Sequence, residues 1–185
     1  MHSGVTLLFL VLFFSIIVSG SFDPLLYILA AILHEMGHLW VLRRHRKNIR
    51  FTGFGIRIVH KEILTYHAEI ALALAGPAVN VLLSAVFAVV HQVCSTETVR
   101  AFLLANIMYA LINLIPLSPL DGYKILKNTA YRFLPLNKAN VMIKIVNLIW
   151  SALLLIVLIK CYCNISFVVV TLVLLISCFA EWKRL

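Results

Sequence analysis

From Ile70 to Val93 the chain runs through 24 residues without a single Asp, Glu, Lys or Arg. As a helix rising about 1.5 Å per residue, that run reaches about 36 Å, more than the roughly 30 Å of hydrocarbon in a bilayer. Five further apolar runs accompany it, at residues 4–20, 24–42, 101–117, 141–159 and 165–180. The chain as a whole is 63% hydrophobic and 12% charged, with a mean hydropathy of +1.02. Soluble domains run about 45–50% apolar and about 25% charged. This composition cannot clothe a water-facing surface, and it excludes a cytosolic globular enzyme, a disordered tail and a secreted disulfide scaffold. The expected fold is an all-α membrane protein: residues 1–185 form one polytopic domain of six transmembrane helices, the runs above together with 70–93.

The first run has small residues after it, at Ser19, Gly20 and Ser21, as a cleaved leader would. Residues 1–6 contain no Lys or Arg, so the basic segment of a leader is missing and the run reads as a retained span. The net charge of +9 then sets orientation. Fourteen of the 16 Lys and Arg fall after the second run, after the fourth run or at the C-terminus; Arg100 and Lys160 alone lie on the other side. Basic residues concentrate in cytoplasmic loops. The expectation is an integral multi-pass protein in the lipid bilayer with both termini cytoplasmic, and the basic surplus calls for no nucleic acid partner. Between the second and third spans, residues 49–59 are rich in β-branched and aromatic side chains interrupted by Gly53 and Gly55. They read as a small membrane-associated β element, either one bent strand or a tight hairpin.

The second run contains His34-Glu35-Met36-Gly37-His38. Residues i and i+4 share one face of a helix, so both imidazoles can reach one metal ion. Glu35 stands beside the first of them, placed to take a proton from water at such a site. Ionisable groups inside a span are costly and mark function by default. Two ligands do not complete a catalytic zinc site, which uses three and leaves a fourth position open. The chain has only seven acids. Asp23 and Glu97 fall at the opposite face, Glu181 near the C-terminus, and Glu62 and Glu69 at the entry to the third span. Asp121 closes the fourth span on the same leaflet as His38, and is the expected third ligand.

Three patterns in order carry a resemblance: His34-Glu35-x-x-His38, then Gly76-Pro77-x-x-Asn80, then Asn113-x-x-Pro116-x-x-Pro119-x-Asp121-Gly122. With them the chain resembles the site-2 protease family of intramembrane zinc metalloproteases, and most of all its compact sporulation stage IV branch. The resemblance implies that His34, His38 and Asp121 bind one Zn2+ and that Glu35 is the general base. It implies that Asn113 holds the substrate or steadies the oxyanion, and that Asn80, in the motif begun by Gly76 and Pro77, positions substrate. It implies an endopeptidase that cuts a membrane-anchored protein substrate in regulated intramembrane proteolysis, such as the pro-form of a transcription factor. A second Gly, frequent in the family after Asp-Gly, is replaced here by Tyr123. Two readings of other classes stand beside this one. A membrane zinc transporter would also place His and Asp at depth, without needing Glu35 as a base. A non-catalytic client-binding scaffold would be expected to have a broken ligand set.

Overall fold

The computed structural model describes residues 24–44, 48–52, 55–59, 65–160 and 165–185. The 4–20 run lies outside them. Six helices and one hairpin follow in order: α1 (Pro24–Arg44), β1 (Asn48–Thr52), β2 (Gly55–Val59), α2 (Tyr66–Val93), α3 (Glu97–Asn113), α4 (Asp121–Phe133), α5 (Leu136–Lys160) and α6 (Ile165–Trp182). The strands pair antiparallel, with Asn48 opposite Val59 and Thr52 opposite Gly55.

Helices α1, α2 and α3 pack on one another, α4 lies against α2, and α5 and α6 pair and join the rest through α4 and through a core of Ala31, Tyr109, Leu117, Leu120, Leu174 and Cys178. Thr65 and Thr96 cap α2 and α3, their hydroxyls accepting from the Ala68 and Val99 amides. Close contact between α1 and α2 depends on Gly37, where a Cβ would lie 2.6 Å from the Ala75 carbonyl oxygen. The core on this side is Tyr27, Ala30, Phe102 and Ala105, with Phe87 edge-on to Phe102. Outward-facing side chains are apolar in bulk, among them Leu25, Met36 and Trp40 of α1 and Leu82, Val89 and Val93 of α2. Such faces belong in lipid, and the chain is an integral membrane protein.

Three helices among the described residues are long and apolar enough to cross a membrane, Leu25–Arg43, Tyr66–Val93 and Leu136–Val157, and Thr171–Trp182 is a shorter apolar helix. One expectation changes, at the end of the fourth run. The 101–117 run becomes a helix of 17 residues, which carries Glu97 and Arg100 in its first turn. It reaches about 25 Å, short of a full hydrocarbon core. The run's last residues are not helical, because Pro116 and Pro119 break the pattern and the chain turns through a cis Ser118–Pro119 bond. Asp121 therefore does not end that helix but begins α4, an amphipathic helix of 13 residues.

Candidate metal centre

His34 and His38 lie on the face of α1 that meets α2 and the start of α4. Their Nε2 atoms are 3.1 Å apart, and each is 3.0 Å from Oδ2 of Asp121. His34 and Asp121 are buried, at 2% and 3% exposure, while His38 is partly accessible. Among the described residues these three form a group that could hold a metal ion.

What surrounds the rings decides which nitrogen carries the proton. His34 Nδ1 donates to Asn80 Oδ1 at 2.6 Å. The Asn80 amide is oriented by its nitrogen, which donates to the Ala30 carbonyl and to Asn106 Oδ1. Asn106 is oriented in turn by the bond from its nitrogen to the Phe102 carbonyl. His38 Nδ1 donates to the Leu72 carbonyl at 2.7 Å. Backbone carbonyls only accept, so both rings hold their proton on Nδ1 and turn a bare Nε2 lone pair inward. Burial works against charge on Asp121, and the Lys124 ammonium at Oδ1 favours the ionised carboxylate. Two lone pairs and an ionised oxygen then share one triangle. Only a positive centre satisfies all three at once.

The triangle fits a metal ion. Tetrahedral coordination at 2.0–2.1 Å asks for donor separations of about 3.3–3.4 Å, and relaxation by a few tenths of an ångström supplies it. Two imidazoles and a carboxylate suit zinc and neighbouring first-row ions. Lys124 occupies Oδ1, which leaves Oδ2 as the single donor from Asp121. Gly76 guards the space: a Cβ there would lie 2.5 Å from His34 Nε2 and closer still to that of His38.

The remaining residues named from sequence fall around this triangle. The Glu35 carboxylate is near enough to His38 and Tyr109 to interact electrostatically with both. Pro77 is buried inside α2, which continues to Val93. Asn113, the last residue of α3, is buried, and its Nδ2 donates to the Tyr109 carbonyl at 3.0 Å. The Tyr109 ring stands edge-on to His34, with centroids 5.1 Å apart. Gly122 fits only as glycine, because a Cβ would strike the Leu114 carbonyl. Sequence reasoning missed Asn106, Lys124 and the Leu72 carbonyl. Asn106 had a legible signal, a polar side chain in an apolar run three and seven residues before Tyr109 and Asn113; the Leu72 carbonyl had none, since every residue has one. His67, in the first turn of α2, lies beside Arg132, its Nδ1 3.2 Å from a guanidinium nitrogen.

Replacing Asn80 by Leu removes the acceptor that orients His34 while keeping the volume. Zinc affinity, read by competition with a chromophoric chelator, is expected to fall about 10–100-fold. Affinity within twofold of the parent would mean that Asn80 does not set the ring.

No family model matches the chain. Sequence similarity links it to a zinc metalloprotease of Methanocaldococcus jannaschii, 28% identical over 125 residues, which covers 61% of this chain and 36% of the relative. A putative zinc metalloprotease of Synechocystis sp. is 30% identical over 122 residues, covering 61% and 32% respectively. The chain spans about a third of the length of these curated relatives. Its fold is similar to that of the site-2 protease from Methanocaldococcus jannaschii, with a TM-score of 0.65 at 22% identity over 97% of this chain and 87% of that one. The chain is thus similar in sequence to zinc metalloproteases and in fold to a site-2 protease.

Proposed function

We propose that the chain is an intramembrane zinc endopeptidase acting on membrane-tethered proteins. The observation that supports this most is the convergence of two proton-free Nε2 atoms and one ionised oxygen, with Glu35 one residue from the first ligand. His34, His38 and Asp121 would hold zinc, which when bound would supply Lewis acidity, lowering the pKa of water toward about 7 and polarising a carbonyl. Glu35 takes the proton of the attacking water and returns it to the leaving amine. Asn113 spends one amide hydrogen on Tyr109 and has a second for the developing oxyanion. Asn80 acts through His34, and Gly76 and Pro77 keep the α2 face beside the ligands slim.

A transmembrane substrate hides its scissile carbonyl in helical hydrogen bonds and must unwind before it can be cut. The hairpin β1–β2 offers an edge to which an unwound segment can add as a strand. Basic residues after α1 and along α4 orient the ligand end of the helices toward the cytoplasm. Water then reaches the site from that face. Resemblance to the sporulation branch makes a membrane-held pro-transcription factor the expected client.

Co-expression supplies the test. Membranes containing the wild-type chain should accumulate cytoplasmic fragments of one or a few tethered proteins, and membranes containing Glu35→Gln should not. Identical fragment patterns would refute proteolysis by this chain.

A further inference from the structure

Asp121 is the first residue of α4, and the helix entry has no side-chain cap at Leu120. Where its carboxylate sits therefore depends on what holds α4 and the turn before it. Glu181, near the end of α6, accepts from the Tyr123 hydroxyl at 2.9 Å and from the Lys127 ammonium. Tyr123 and Lys127 are one turn apart on α4. Tyr123 is buried, its ring packed with Ala130, Ala139 and Ile143. One turn earlier on α6, the Cys178 thiol donates to the Ser118 carbonyl at 3.3 Å, and the Ser118 amide donates to Asn147 Oδ1 of α5 at 3.2 Å. Anchors at 118, 123 and 127 thus bracket residue 121 on both sides.

We propose that the end of α6 positions the third ligand: Glu181, through Tyr123 and Lys127, together with Cys178 and Asn147 at the Ser118 turn, fixes α4 so that Asp121 meets the two imidazoles. The inference rests on the ligand reading above. It gives Tyr123, the departure from the family's second glycine, a task, since a glycine there has no hydroxyl to reach α6. It also gives a polar cluster far from the ligands a reason to be ordered. A ligand set tolerates displacements of only about 0.5 Å, and a loose α4 would exceed that. These are positioning residues, and none touches the reacting atoms.

The test uses the full chain in detergent micelles, with Tyr123→Phe, Glu181→Leu and the double variant. Tyr123→Phe keeps the ring in its apolar cluster and so preserves the fold. Zinc affinity is read by chelator competition, the ligand field by the visible spectrum of the Co2+-substituted protein, and folding by the melting temperature. Each single variant is expected to lose about tenfold in zinc affinity and to alter the Co2+ spectrum. The double variant should lose no more than the worse single, because both changes cut one link. Arg184→Gln, at the exposed side of the same carboxylate, should leave affinity unchanged. Unchanged affinity and spectrum in both single variants would overturn the proposal, as would a lowered melting temperature without any change at the metal. Wild-type protein that binds no metal would overturn the ligand set and this inference with it. Metal bound without cleavage would count against the peptidase reading alone.

Discussion

Glu35→Gln is expected to retain its zinc and to lose peptide-bond cleavage by about 10²–10⁴-fold, the contribution of a positioned general base. That loss corresponds to about 3–5 kcal/mol of barrier. Gln matches Glu in size but cannot accept a proton from water. Glu35 is not one of the three converging donors, so the ligand triangle should survive the change. Purified chain, assayed side by side for metal content and for cleavage of a membrane-inserted peptide, separates the two properties. Full activity in the variant would eliminate Glu35 as the base. Loss of metal together with activity would show that Glu35 supports the ligands instead.

Gly76→Ala is the second large effect, and its cause is steric. The added methyl carbon would lie 2.5 Å from His34 Nε2 and nearer to that of His38, about where a metal–nitrogen bond of 2.0–2.1 Å must fit. Either the methyl takes the ion's place or α1 and α2 separate. Zinc affinity should fall by at least about 100-fold, more than the loss of an outer partner brings. Helix propensity works the other way, since Ala stabilises a helix interior over Gly by about 0.5–1 kcal/mol. The variant should therefore be a folded protein without its metal. Isothermal titration with zinc, beside a thermal melt, reads both signs. Parent-like zinc binding would mean that the ion does not sit against Gly76.

Much of this could be read from residues alone because the chemistry is local. His34 and His38 are four apart on a helix, so periodicity places them on one face without knowledge of any partner. The absence of charge from Ile70 to Val93 requires a nonpolar surrounding whatever the neighbours are. Asp121 could be picked out because acids are so few and the basic residues sort the chain into two faces. Its local setting was misread, since hydropathy continues through Leu117 while two prolines have already ended the helix. Hydropathy measures preference for lipid and carries no record of where backbone hydrogen bonds stop.

The chain's place in lipid and the identity of its two histidine donors follow from spacing and composition, which act over a few residues. The proton positions on the imidazoles, the room beside Gly76, the grip of Lys124 on Oδ1 and the link from Glu181 to Tyr123 follow from packing. They join atoms 46, 42, 3 and 58 positions apart, and all but the Lys124 pair exist only once helices meet. A local pattern has no term for the distance between side chains on different helices, and that distance is what brings three polar residues of an apolar chain within reach of one another.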